Sequence, residues 1–339
     1  MSDIRRRQFI VLMGGAAVAP SLLFWPLAAR AQQPGQVRRV GMLIGYTEND
    51  LETQARLAAF RQGLEHLGWT EGRNVRIDYR FAPAGPDQAQ RFAKELVALR
   101  PDILVGNSTP ATAALLHETH TIPIVFVGVS DPLGSGFVAS IARPGGNATG
   151  FTNFEPSLIG KWLEMLKEVA PGIVRAAVIF NPKTAPGEGS FFMGPFEPIA
   201  RSLKVEPIAA RVNDAAEIES AVAAIGHEPG GSLIVMPDAF TTVHRQLIIL
   251  LAARHALPAI YPYRYQSVDG GLLSSGVDSV DLLRRATPYV DRILKGEKPA
   301  DLPVQAPIKF ELIVNMRTAR ALGLNIPESF LVRADEVIE

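Results

Sequence analysis

The chain has no cysteine in its 339 residues. That excludes disulfides, cysteine nucleophiles and thiolate metal sites, so any core must hold by packing alone. An excess of charge of one sign is also missing. The 34 Lys and Arg residues face 34 Asp and Glu residues, and no arginine-rich patch stands out, so nucleic acid is not an expected partner. No G-x-G-x-x-G follows the first strand, and neither G-x-x-x-x-G-K-[ST] nor G-x-S-x-G occurs. Dinucleotide sites, P-loops and nucleophile elbows therefore lack support, and no cofactor is expected. Of the six histidines, His117 and His120 are three apart, while His66, His227, His244 and His255 are scattered. No carboxylate cluster joins them, so a zinc site is not expected either.

What is present begins with an address. Three arginines (Arg5 to Arg7) precede an apolar stretch from Phe9 to about Leu27, which ends in Ala29-Arg30-Ala31. These are the three regions of an export signal with a small-x-small cleavage site, and Arg6-Arg7-Gln8-Phe9-Ile10 fits the twin-arginine pattern. An uncleaved membrane anchor fits less well, because Gly14, Gly15, Pro20 and Pro26 interrupt the segment. Cleavage after Ala31 removes four arginines and one aspartate, leaving 30 basic against 33 acidic groups, a charge of about −3. With no cysteine near the signal to carry a lipid, the expectation is a soluble periplasmic protein.

Beyond Gly35 the chain alternates strands and helices. Val37–Tyr46 reads as a strand, and Leu57, Phe60, Leu64 and Leu67 recur as one apolar helix face stopped by Gly68. Val75, Ile77, Tyr79 and Phe81 alternate as in a half-buried strand, and Asp87 is a candidate cap for the helix of Ala89, Phe92, Leu96 and Leu99. Apolar runs at Pro101–Val105 and Ile122–Val129 suit strands buried on both faces. The loop Ala142–Phe151, with Pro144, Gly145, Gly146 and Gly150, breaks the rhythm, and the pattern then restarts through "RAAVIFNP", "SLIVMPD" and "LPAIYP". Strand–helix repetition on this scale predicts an α/β protein of two Rossmann-like domains, each a parallel sheet flanked by helices.

The strand ends form a set: Tyr46-Thr47, Asn107-Ser108-Thr109, Ser130-Asp131-Pro132, Asn181-Pro182, Pro237-Asp238 and Gly276-Val277-Asp278. Ligands of open parallel sheets bind beyond the carboxyl ends of the strands, so two facing domains would gather these clusters at one cleft. In "GNSTPATAALL" (Gly106–Leu116), Ser108 and Thr109 precede Pro110 where a helix begins, a receptor for a carboxylate. Asp131, Asp238 and Asp278 could hold an ammonium, and together the two ends suit an α-amino acid. The plainer alternative is that Ser108 and Thr109 only cap their helix, and that each Asp serves a turn or a cap. Tyr46, Phe154, Tyr263 and Tyr265 are candidates for stacking on an aromatic ligand or for packing.

Several long motifs together resemble one family. They are "RRQFIVLMGGAA…PLAARAQQP", "AFRQGLEHLGWTEGRNVRIDYRFA", "STPATAAL", "TIPIVFVGVSDPLGSGFVASIARPGGNATGF" and "ARALGLNIPESFLVRADEVIE". Together they look like the tryptophan/phenylalanine-type substrate-binding proteins of ABC importers, over nearly all of the chain past the signal. The resemblance implies a type I periplasmic-binding fold with three crossovers, hinge closure on a ligand, and docking to an ABC permease in the inner membrane. It implies lobe 1 at 37–150 plus about 271–303, and lobe 2 at 151–270 plus about 304–339. It also implies that Ser108 and Thr109 hold the ligand carboxylate and that segments around Asp131, Asp238 and Asp278 line the cleft. Two positions depart from the family pattern: Tyr46-Thr47-Glu48 stands for Ser-Pro-Glu, and Ser130-Asp131-Pro132 for Asp-Asp-Pro. The expected function is a non-enzymatic receptor for an amino acid or small carboxylate. A periplasmic sensor for a receptor kinase and a two-domain enzyme are the alternatives; a racemase of this build typically uses paired cysteines, and the chain has none.

Overall fold

The computed structural model describes residues 37–339, so the export signal expected at 1–31 lies outside the described residues. The first lobe is built from β1 (Arg38–Ile44), α1 (Leu51–His66), β2 (Val75–Phe81), α2 (Pro86–Ala98), β3 (Ile103–Asn107), α3 (Thr109–Glu118), β4 (Ile124–Val129) and β5 (Ala148–Thr152). Its five strands run parallel in the order β2-β1-β3-β4-β5.

The second lobe follows with α4 (Leu158–Val169), β6 (Arg175–Phe180), α5 (Ser190–Ser202), β7 (Glu206–Arg211), α6 (Ala215–Gly226) and β8 (Leu233–Val235). It continues through α7 (Ala239–Val243), α8 (Arg245–Arg254), β9 (Ala259–Tyr261), α9 (Arg264–Val268) and β10 (Leu273–Gly276). After α10 (Ser279–Leu294) it closes with β11 (Glu311–Asn315), α11 (Met316–Ala321), α12 (Glu328–Leu331) and β12 (Glu336–Ile338). The strand order is β12-β11-β10-β9-β8-β6-β7, parallel except where β10 meets β11.

Each sheet is covered on both faces, which explains the unbroken apolar runs in its strands. In lobe 1, Leu57, Phe60 and Leu64 of α1 pack with Leu282, Leu283, Val290 and Ile293 of α10 over one face. Ala89, Ala93 and Leu96 of α2 with Ala111 and Leu115 of α3 cover the other. Lobe 2 repeats the plan with Trp162, Leu163 and Leu166 of α4 beneath Phe192 and Phe196 of α5, and with α6 and α8 opposite.

The chain passes between the sheets three times. It leaves lobe 1 after β5, returns after β10 so that α10 can cover α1, and leaves again after Gln305, whose N–H bonds Gly150 O. The expected boundary at 271 needs correction. Residues 273–276 belong to the second sheet, where β10 pairs with β9 and β11, and only the following helix serves lobe 1. Pairing partners decide this, and a four-residue Leu-Ser-Ser-Gly strand carries no local sign of them. Asp87 is likewise not the cap of α2: Gly85 holds that position and Asp87 lies in the first turn.

Candidate functional site

The parallel strands of both lobes end at a shared cleft of about 310 Å³, large enough for a molecule of amino-acid size. From lobe 1 it is lined by Gly45 after β1, the loop 82–87 leading into α2, and Pro110 in α3. From lobe 2 come Asn181, Lys183 and Thr184 after β6, the start of α6 at Asp214 and Ala215, and Ala239, Phe240 and His244 around α7. Three helices of ten or more residues, α2, α3 and α6, thus bring their N-terminal turns to one space. Their unpaired N–H groups and dipoles make it favourable to negative charge, and Lys183 adds a full positive charge. The Phe240 and His244 rings lie 4.2 Å apart, 33° from parallel, which gives the cleft one aromatic wall.

Of the nine residues singled out from the sequence, Asn181 lines this cleft directly. Its backbone N–H donates to Asp238 Oδ2 at 2.7 Å, and its Oδ1 accepts the Lys183 N–H at 2.8 Å. Asp238 sits behind it, buried. It caps α7 by accepting the Phe240 N–H at 2.9 Å and also accepts the Thr184 hydroxyl. Burial pushes the Asp238 carboxyl up to about 6, against the pull of those three donors. Every one of these contacts lies inside lobe 2, so Asp238 shapes the cleft floor and offers no free oxygen to an ammonium.

Ser108 is the N-cap of α3, its Oγ accepting the Ala111 N–H at 3.4 Å. Its backbone is strained, with φ 126° and ψ 163°, a region that favours glycine. Strand β1 accommodates it through Gly45, where a Cβ would collide with the Ser108 hydroxyl. Asn107 is buried and donates through Nδ2 to Val127 O, tying β3 to β4. Thr109 is half-buried and precedes Pro110, which lines the cleft.

Three expectations about cleft acids and hydroxyls are corrected. Asp131 is occupied by its own turn, accepting the Gly134 N–H at 2.7 Å. Asp278 is exposed and caps α10 through the Val280 and Asp281 N–H groups. Neither lines the cleft. Ser130 donates at 3.0 Å to Asn153 Oδ1, and Asn153 donates at 2.8 Å to the Tyr263 hydroxyl, a buried chain at the first crossover.

Tyr46 belongs to a second cluster that the sequence reading missed. The Arg56 guanidinium, from the buried face of α1, lies 4.7 Å from the Tyr46 ring, 5.8 Å from Tyr263 and 5.7 Å from Tyr265. The three rings hold the cation by their faces. Burial raises the Tyr46 hydroxyl above its ordinary pKa despite the cation beside it. The stacking role considered for Tyr46, Tyr263 and Tyr265 is thus taken by an internal arginine, and Phe154 packs into the lobe 2 core against Trp162 and Phe192. Beside this cluster Arg245 of lobe 2 bonds Asp50 of lobe 1 at 2.5 Å and its own Asp269 at 2.9 Å, linking the lobes. One signal for Arg56 was available: it lies on the stripe Thr53, Leu57, Phe60, Leu64, where a charge is out of place.

Among the described residues no group of His, Asp and Glu could hold a metal, and no helix is long and apolar enough to cross a membrane. The ABC transporter substrate binding protein family model matches residues 50–338. A tyrosine-binding protein of Clostridioides difficile (strain R20291) is 26% identical over 265 residues, covering 78% of this chain and 75% of that protein. A conserved domain protein of Vibrio cholerae O1 biovar El Tor has 28% identity and a TM-score of 0.83, covering 89% of this chain and 100% of that one. The ABC domain in complex with L-Trp from Streptococcus pneumonia shares the fold at 24% identity and TM-score 0.81, over 89% of this chain and 99% of that one. Two parallel-sheet lobes, a cleft between them and this match over most of the sequence make the chain a member of the ABC transporter substrate-binding proteins, a family that binds its ligands rather than converting them.

Proposed function

We propose that this protein is the periplasmic receptor of an ABC importer, that it takes an amino acid or related small carboxylate into the interlobe cleft, and that it hands the ligand to an inner-membrane permease. The observation that carries the reading is the convergence of the α2, α3 and α6 N-termini with Lys183 on a cleft of about 310 Å³. Such a site rewards a carboxylate. Asp87 on the same wall suits an ammonium, Asp214 beside it capping α6 through the Glu217 N–H, and the Phe240–His244 pair suits an aromatic side chain. Of the sequence candidates, Asn181, which lines the cleft, is the one this reading sets against the ligand. The tyrosine-binding relative and the L-Trp-bound structure put aromatic amino acids first among ligands to try.

The test is a thermal-shift and calorimetric screen of ligand-stripped protein against amino acids, small carboxylates, sugars and nucleosides. A true ligand at a hundred times its Kd stabilises by about 2.7 kcal/mol, a rise of about 5 °C in Tm. The shift should shrink in Phe240→Ala if the ring wall is used. Sugars or nucleosides shifting the protein while no carboxylate does would overturn the ligand reading and leave the family intact.

A further inference from the structure

We infer that Arg56 and Thr242, one from each lobe, form the subsite that receives the anionic group of the ligand. The inference rests on the receptor reading and assigns its carboxylate anchor to side chains other than those at the start of α3. The starting observation is a void of about 10 Å³ at the lobe interface, lined by Tyr46, Thr47, Asp50, Thr53 and Arg56 from lobe 1 and by Thr242, Val243 and Arg245 from lobe 2, with the Asp50 carboxylate engaged by Arg245. Arg56 is 3% exposed and Thr242 5% exposed. Each keeps a buried polar atom with no hydrogen-bond partner among the described residues, Nε of Arg56 and Oγ1 of Thr242. Two orphaned groups bordering one small void are a costly arrangement for a folded protein unless something fills it.

The charges at the void separate its two guanidiniums. Arg245 is charge-paired with two carboxylates, Asp50 and Asp269. Arg56 is not: its one hydrogen bond runs from Nη2 to the Tyr265 hydroxyl at 3.3 Å. Its nearest carboxylate, Glu52, lies 3.5 Å from Nε and already accepts the Ser279 hydroxyl. An arginine stays protonated, and with Glu52 as its one carboxylate, at 3.5 Å and shared with Ser279, the guanidinium keeps spare donors for a second anion. The three tyrosine faces fix its plane, which removes most of the ordering cost of binding.

Size and position narrow the occupant. A void of this volume admits about one water-sized atom, the bulk of a single carboxylate oxygen. The segments that border it also border the main cleft: Gly45 lines the cleft and Tyr46 the void, Ala239 and Phe240 the cleft and Thr242 and Val243 the void. A ligand lying in the cleft with its carboxylate toward Tyr46 would insert one oxygen between the Arg56 Nε–H and the Thr242 O–H. Because those donors come from different lobes, the same oxygen would draw the lobes together.

Calorimetry with L-tyrosine and L-tryptophan, each against its carboxamide, tests the assignment on the whole exported protein. Wild type should prefer acid over amide by on the order of 100-fold. Arg56→Gln should abolish that preference by weakening the acid alone. Thr242→Val should weaken the acid about 10-fold, with Thr242→Ser restoring it. Thermal unfolding of each variant checks folding, and Thr242→Val and Thr242→Ser carry the test if Arg56→Gln does not fold. Undiminished acid-over-amide preference in the folded variants overturns the subsite and means that the void holds a bridging water only. Failure of every carboxylate to bind wild type overturns the receptor reading itself, and the subsite with it.

Discussion

Two corners of the lobe interface solve the same problem in opposite ways. At the Asp238 corner a buried carboxylate meets the Thr184 hydroxyl and the N–H groups of Asn181 and Phe240, all from its own lobe, and both its oxygens are occupied. At the Arg56 corner a buried cation meets tyrosine faces and a carboxylate 3.5 Å away that is shared with Ser279, and it borders a void with an orphaned hydroxyl. A saturated group of this kind holds backbone in place, whereas an unsaturated one has capacity to give to a ligand. The sign of a charge near a cleft is therefore a poor guide to its use, and the count of free donors and acceptors is a better one.

The largest expected effect comes from breaking the saturated corner. Asp238→Ala leaves three donors without an acceptor and removes the α7 cap, and should cost about 4 kcal/mol in urea unfolding. A cost below about 1 kcal/mol would mean that water replaces the carboxylate and that the corner is not structural.

A second test uses protons. The folded-state pKa of Asp238, about 6, stands above the ordinary value near 3.9. The folded protein therefore holds the extra proton between roughly pH 4 and pH 6. This contribution to stability is full below that window and is lost as the pH rises through it, approaching about 3 kcal/mol. Asp238→Asn cannot titrate, so the stability gap between wild type and variant should move in the variant's favour from pH 4.5 to pH 7. A constant gap would show that the three donors outweigh burial.

The start of α3 offers a milder comparison, because Ser108 combines a cap with backbone strain. Ser108→Ala loses the cap and keeps the strain, at about 1–2 kcal/mol. Ser108→Gly relieves the strain and should fall within about 0.5 kcal/mol of wild type. The reverse order would show that glycine's extra freedom in the unfolded chain outweighs relief of the dihedral.

Smallest in equilibrium terms is Asp50→Asn, which removes one arm of the interlobe Arg245 bridge. Stability should change by less than about 1 kcal/mol, and ligand release should quicken a few-fold, less so in high salt. An unchanged release rate at low salt would show that this pair does not restrain opening.

The fold was legible because central strands such as β3, β4 and β6 are apolar runs and most helices carry a face, as in the stripe Leu57, Phe60, Leu64. Gly45 and Asn181 after their strands do line the cleft, since parallel sheets place all their carboxyl ends on one side. What could not be read was the division of labour there. Asp131, Asp238 and Asp278 look alike after a strand, yet one closes a turn, one is buried in a network and one caps a helix, depending on which N–H groups the backbone turns toward each. His244, set aside as one more scattered histidine, lines the cleft because α7 and α8 meet there. Arg56 and Thr242 are 186 positions apart, and no local pattern joins them.

The return of α10 to lobe 1 has a consequence for the order in which the molecule can be made. All five strands of the first sheet are synthesised by Thr152, but one face stays only partly covered until α10 arrives well over a hundred residues later. Until then Val40, Met42 and Ile44 have α1 as their cover but not the Leu282, Val290 and Ile293 side chains that complete it. The ribosome therefore carries an unfinished apolar surface through a large share of translation, and neither lobe reaches its final packing until the chain is nearly complete. Such a nascent chain is an obvious client for chaperones, and its native assembly is a single late event rather than two in succession.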